Sequence, residues 1–196
     1  MSNIKEAIRQ INGSLPAGNN GSKVILFKTL ARTNSEQTII ANLALMYARA
    51  GEKVLVLDTD FSSNAFKQAF GLKSKLGLSD YLSGGSSNVT GIIQAVSGEN
   101  ISIVCSGTLP VEDTAYLLGD PQMMSFMEKT NDKYDRVLIN TAAYAANSSD
   151  EYLLEHADGV VIVQDLKAIK KMQMFSLLSM LDKRNAKVLG YISAKK

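Results

Sequence analysis

This sequence predicts a doubly wound α/β fold with a mainly parallel sheet, and three observations lead there. Six short β-rich apolar runs recur along the chain: KVILF (23–27), KVLVLD (53–58), ISIVC (101–105), RVLIN (136–140), GVVIVQ (159–164) and KVLGYI (187–192). Their apolarity is continuous rather than alternating, which fits strands covered on both faces. Helical periodicity fills the intervals, and alternating strands and helices close into such a sheet through right-handed crossovers. Ligand sites would then lie at the carboxyl ends of the strands.

Each element follows in order. The opening MSNIKEAIRQIN predicts a short amphipathic helix, and the Gly- and Asn-rich GSLPAGNNGS (13–22) a loop before the first strand. In residues 35–50, Ile39, Ile40, Leu43, Met46, Tyr47 and Ala50 recur at spacings of three and four, so they share one helical stripe. SGGSSNVTG (83–91) predicts a flexible connection. Met172, Phe175, Leu178 and Leu181 suggest a second stripe on the last helix. The expected organisation is one domain over residues 1–196, a size that supports a full core, with residues 1–22 as its N-terminal helix and loop.

Composition narrows the function classes. The 21 basic and 19 acidic residues leave a net charge of +2, spread along the chain without the basic stripe that a nucleic acid backbone requires. The single cysteine, Cys105, cannot build a disulfide framework or a cysteine zinc cluster, and it fits a reducing cytoplasm. The first residues are too polar for a signal peptide, and no apolar run reaches the ~18 residues of a membrane span. A soluble cytoplasmic protein is expected.

The segment between the first strand and first helix stands where a phosphate loop would lie. That loop needs glycines whose N–H groups close around phosphates, a lysine to neutralise them and a Ser or Thr hydroxyl for magnesium. Here no glycine occurs from Ser22 through Ala50. The loop positions are Arg32, Thr33, Asn34, Ser35, Glu36, Gln37 and Thr38, with Glu36 in the lysine position and Gln37 in the magnesium position. Two unit charges ~4 Å apart interact by roughly 4 kcal/mol at an effective dielectric near ~20, so reversing the charge swaps attraction for repulsion of that size. Loss of ordinary Mg-ATP binding is expected. The same residues also read as a plain helix start, because Thr33, Asn34 and Ser35 are good N-caps and Glu36 suits the helix dipole.

An ordered series of stretches resembles the bacterial tyrosine kinases, relatives of the MinD/ParA deviant-Walker ATPases. The stretches are ANLALMYARAGEKVLVLDTDF (41–61), GLSDYLSG (77–84), VCSGTLPVEDTAYLL (104–118), YDRVLIN (134–140), HADGVVIVQD (156–165) and VLGYIS (188–193). The resemblance implies a P-loop NTPase-like fold and a link to capsule and exopolysaccharide export. It places Asp58 and Asp60 where the family has magnesium-linked aspartates. It puts Ser62 where that motif usually has arginine, and Asn140 where the Walker B strand usually ends in aspartate. EAIRQIN (6–12) is similar to the family's oligomerisation segment, with Glu6 and Arg9 kept and Asn12 in place of the second arginine. The tyrosine-rich tail of these kinases is not expected here.

Three functions follow. The first is a catalytically inactive relative of these kinases, without cofactor or catalytic residues. It would act as a scaffold or regulator in polysaccharide synthesis or export. Its partners would be an active relative, a membrane copolymerase that draws it to the inner face of the membrane, or a second copy. The second is an enzyme in which Lys28 or Arg32 reaches the phosphates of ATP while Asp58 and Asp60 hold magnesium. The third is a spatial-positioning protein of the MinD/ParA type. At the strand ends, Asp58 and Asp60 equally suit capping and backbone hydrogen bonding.

Overall fold

The structure, a computed structural model, describes residues 23–31, 35–85, 88–145, 148–164 and 171–193. The expected N-terminal helix, with Glu6 and Arg9, and the loop residues Arg32, Thr33 and Asn34 lie outside them. In chain order the elements are β1 (Val24–Thr29), α1 (Ser35–Arg49), β2 (Val54–Asp58), α2 (Ala65–Ala69), α3 (Leu78–Leu82), α4 (Val89–Ile92), β3 (Ile93–Ala95) and β4 (Ile101–Val104). They continue with α5 (Pro121–Asn131), β5 (Arg136–Asn140), β6 (Gly159–Gln164), α6 (Lys171–Lys183) and β7 (Val188–Ser193). Three 3₁₀ segments, Val111–Asp113, Leu117–Gly119 and Ser149–His156, complete the described connections.

The strands form one seven-stranded sheet in the order β3-β4-β2-β5-β1-β6-β7, parallel except for β3. All six apolar runs are strands, and their continuous apolarity has a direct cause. Alternate side chains point to opposite faces, and both faces are covered. Ile25 and Phe27 of β1, Val54 and Val56 of β2, and Leu138 of β5 pack under α1 and α2. Val24, Leu26, Leu55, Leu57, Val137 and Ile139 pack against α3, α5, α6 and the segment after β5. The expected fold class stands. The edge strand β3 was not expected: three residues of half-exposed IQA carry too little pattern to be seen.

Helix α1 buries Ile39, Ile40, Leu43 and Tyr47, as its spacing predicts, while Ala50 falls just outside it and is exposed. The expectation for α6 needs correction. Met172 and Phe175 are 78% and 72% exposed, and the buried face carries Leu177 and Leu181. The reason is geometric: a strict three-residue repeat lags a 3.6-residue turn by about 60° per step, so Met172 and Leu181 end on opposite sides.

The GLSDYLSG and CSGT stretches meet at one backbone junction. Leu78 and Ser79 donate their N–H groups to the carbonyls of Cys105 and Ser106, both at 2.8 Å. The Asp80 carboxylate accepts from the Gly77 and Thr108 N–H groups at 2.8 and 3.1 Å, and from the Thr108 hydroxyl. A Cβ on Gly77 would run into the Cys105 carbonyl oxygen and stand 2.6 Å from the Gly107 nitrogen, so only glycine permits this approach. Within residues 83–91, Asn88 accepts the Thr90 N–H at 3.0 Å and caps α4.

Candidate functional site at the strand ends

The carboxyl ends of β1, β2, β5 and β6 gather most of the buried polar side chains, and strand alternation sorts them onto two faces. Asp58 and Asn140 sit opposite each other in register, on the face that α1 covers. Lys28 and Gln164 continue the other face, with Val24, Leu26 and Ile162.

On the α1 side, Asp58 is 1% exposed and Asn140 fully buried. The Asn140 amide donates to Asp58 Oδ1 at 2.8 Å, and the Asp60 N–H donates to the same oxygen at 3.2 Å. Asp60 in turn accepts the Ser62 N–H at 3.1 Å and the Ser62 hydroxyl. Ser62, in the position expected for arginine, thus closes a local turn on Asp60. Thr59 ties the β2 end to β5, donating its N–H and hydroxyl to the Asn140 carbonyl at 2.9 and 2.7 Å.

Glu36, in the first turn of α1, is 3% exposed, and its Oε1 has no hydrogen-bond partner. Burial pushes its carboxyl well above the ordinary range. Lys28 partly relieves this, while Asp60, Asp58 and Asp150 add to it. Burial likewise raises Asp58 to about 7, against the lowering effect of the Asn140 hydrogen bond and with a further push from Asp60. Three acidic side chains, Glu36, Asp58 and Asp60, therefore crowd the end of α1 that would face a phosphate.

On the opposite face Lys28 is already engaged. Its ammonium forms an ion pair with Asp150, at 3% and 6% exposure, and approaches the Ala142 carbonyl at 3.5 Å. The Ser148 hydroxyl donates to the other Asp150 oxygen. Tyr144 lies with its ring 5.9 Å from the ammonium. Buried acceptors remain open on both faces: Glu36 Oε1, Asn140 Oδ1 and Gln164 Oε1 have no partner. The arrangement is rich in acceptors, and its described cation is neutralised from within. Among the described residues, no three His, Cys, Asp or Glu side chains converge as metal ligands.

The structure thus brings together Glu36, Asp58, Asp60 and Asn140 from the expected set. Gln37 and Thr38 lie apart from them, in the first turns of α1 along a cleft facing α2. Ser35 begins the helix. Asp150 was missed, since a contact 122 residues distant from Lys28 leaves no local sequence signal. Gln164 had a signal, a polar residue closing the apolar run GVVIV at a strand's carboxyl end.

The geometry finds its context in known proteins. Residues 23–189 match the AAA domain family AAA_31. The chain belongs to this family. Among curated relatives, the tyrosine-protein kinase YwqD of Bacillus subtilis (strain 168) is 28% identical over 170 residues, covering 87% of this chain and 71% of the relative. The putative tyrosine-protein kinase EpsB of Ralstonia solanacearum is 26% identical over 192 residues, covering 95% of this chain, but this chain spans only 25% of that protein. The kinase domain of the Escherichia coli tyrosine kinase ETK superposes with a TM-score of 0.81 at 23% identity, covering 96% of this chain and 74% of that one. The septum site-determining protein MinD of Pyrococcus horikoshii, complexed with Mg-ADP, gives 0.67 at 19% identity, covering 86% and 69%. The chain is related to the bacterial tyrosine kinases and shares the MinD-like P-loop NTPase fold. Among the described residues no helix is long and apolar enough to cross a membrane.

Proposed function

We propose that this chain is a catalytically silent relative of the bacterial tyrosine kinases. It works as a scaffold or regulatory binding protein in exopolysaccharide or capsule synthesis or export. The observation that carries this reading is the reversed polarity of the strand-end site. Glu36 is buried beside Asp58 and Asp60 at the start of α1, where phosphates would need N–H donors and a cation. The described lysine at the strand ends, Lys28, continues the other face of β1 and is bound by Asp150. Mg-ATP does not fit such a residue set. A phosphate there would meet acidic side chains in place of a cation, and Asn140 offers magnesium a neutral amide in place of an anionic ligand.

Lys28 also bears on the alternative in which a relocated basic residue reaches the phosphates. Freeing it would leave Asp150 charged, buried and unpaired, a cost of about 3–5 kcal/mol. Function then lies in contacts with a protein partner. The candidates are an active kinase relative, a membrane copolymerase that holds the chain at the inner face of the membrane, or a second copy through the segment bearing Glu6 and Arg9. The test is an ATPase and autophosphorylation assay on purified protein with magnesium, run beside an active tyrosine kinase. No turnover above background is expected; hydrolysis that disappears in Asp58→Ala would overturn the proposal.

The likeness to MinD favours one further reading, a spatial-positioning protein that organises an envelope machine. Gene neighbourhood separates the two: glycosyltransferase and export genes support the first, and pilus, flagellar or partition genes the second.

A further inference from the structure

A cleft of about 960 Å³ opens between α1, α2 and the β2–α2 connection, beside the strand-end carboxylates. That volume is at the upper end of the range of small-molecule sites. None of its described lining residues is charged. Its described polar groups are amides and hydroxyls, the amides being Gln37 and Asn42 from α1 and Asn64 and Gln68 at α2.

Internal hydrogen bonds set which of these groups stay open. Asn42 gives an amide N–H to the Thr38 carbonyl at 2.7 Å and keeps its oxygen. Gln68 donates to Asn64 Oδ1 at 2.8 Å, so the pair presents the Gln68 oxygen as an acceptor next to the Asn64 amide as a donor. The Gln37 oxygen is buried away from the cleft and takes no part in its open set. Donors and acceptors alternating at short spacing match vicinal hydroxyls, each of which gives one hydrogen bond and accepts others. Phe61 lines the same cleft and is only partly buried, so it leaves apolar surface there for the C–H groups of a sugar. A nucleotide or an acidic peptide would bring negative charge to a cleft whose described lining carries no countercharge, next to Asp60.

We propose that this cleft binds a neutral oligosaccharide, seated on Phe61 and hydrogen-bonded by Asn42, Asn64 and Gln68. The inference adds a ligand class to the function proposed above and does not depend on it. Nucleotide assays report on the strand-end site and saccharide titration on the cleft, so either can fail alone.

The experiment is a titration of the isotope-labelled full chain, followed by amide chemical shifts, with maltotriose, cellotriose and N,N′,N″-triacetylchitotriose, and with an uncharged Gly-Ser octapeptide as the contrasting ligand. At least one trisaccharide should give saturable shifts confined to the cleft by about 10 mM, with Phe61→Ala weakening binding about tenfold or more. Gln68→Ala, at an exposed helix position that the fold does not need, should weaken it as well. The proposal is overturned if no trisaccharide shifts the cleft, if the octapeptide shifts it as strongly, or if both variants bind like the parent.

Discussion

Asp58 should make the chain more stable in mild acid than in mild base, and the effect can be worked from its surroundings. Burial lifts its carboxyl from 3.8 to about 7, with Asp60 pushing the same way and the Asn140 hydrogen bond opposing. A carboxyl raised by folding contributes stability that is complete below its unfolded value and is lost as the pH rises through its folded value. Between pH ~5 and ~8 that loss is about 2.5 kcal/mol, since each displaced pKa unit is worth about 1.4 kcal/mol. Asp58→Asn removes the titration yet keeps an oxygen for the Asn140 amide and the Asp60 N–H. Urea unfolding of parent and variant at both pH values is the assay. The parent should lose more stability than the variant across this window, by about 2.5 kcal/mol. Equal losses in the two proteins would refute the argument that Asp58 is buried and crowded.

Other consequences of the structure can be checked the same way. Glu36→Gln removes a buried charge and should raise the unfolding free energy at pH ~8 more than at pH ~5, because Glu36 is also raised by burial. Asp150→Asn leaves Lys28 charged and unpaired and should cost about 3–5 kcal/mol by denaturant unfolding, much of which Lys28→Met in the same chain should restore. On α6, Leu177→Ala should cost about 2–5 kcal/mol and Phe175→Ala less than about 0.5, reversing what the three-residue stripe suggests. Gly77→Ala drives a methyl into the Cys105 carbonyl and should sharply lower the melting temperature, whereas Gly91→Ala, with its nearest neighbour at 3.9 Å, should not.

Much of the fold was legible because its signals are local. Each buried strand is a run of consecutive apolar residues, and α1 carries its stripe over four turns. The short β3 was hidden because three residues cannot show a period, and α6 was misread because spacing by three alone does not keep a side of the helix. At the site, the sequence placed Glu36, Asp58 and Asn140 at the right ends of the right elements. It could not show that Lys28 ends on a buried carboxylate from the far side of the sheet, a consequence of where β1 starts its alternation. Nor could it show Asp150, which reaches Lys28 only when the segment after β5 folds back along β1.

Direct titration of the purified chain with a fluorescent ATP analogue, with and without magnesium, decides whether the strand-end site takes a nucleotide. A variant with Glu36→Lys and a glycine-rich loop in place of residues 30–35 serves as the partner measurement. The natural chain should give no saturable signal, and the restored one should bind. Saturable binding by the natural chain at micromolar concentration would contradict that expectation, and would mean that the carboxylates around Glu36 accommodate a nucleotide after all.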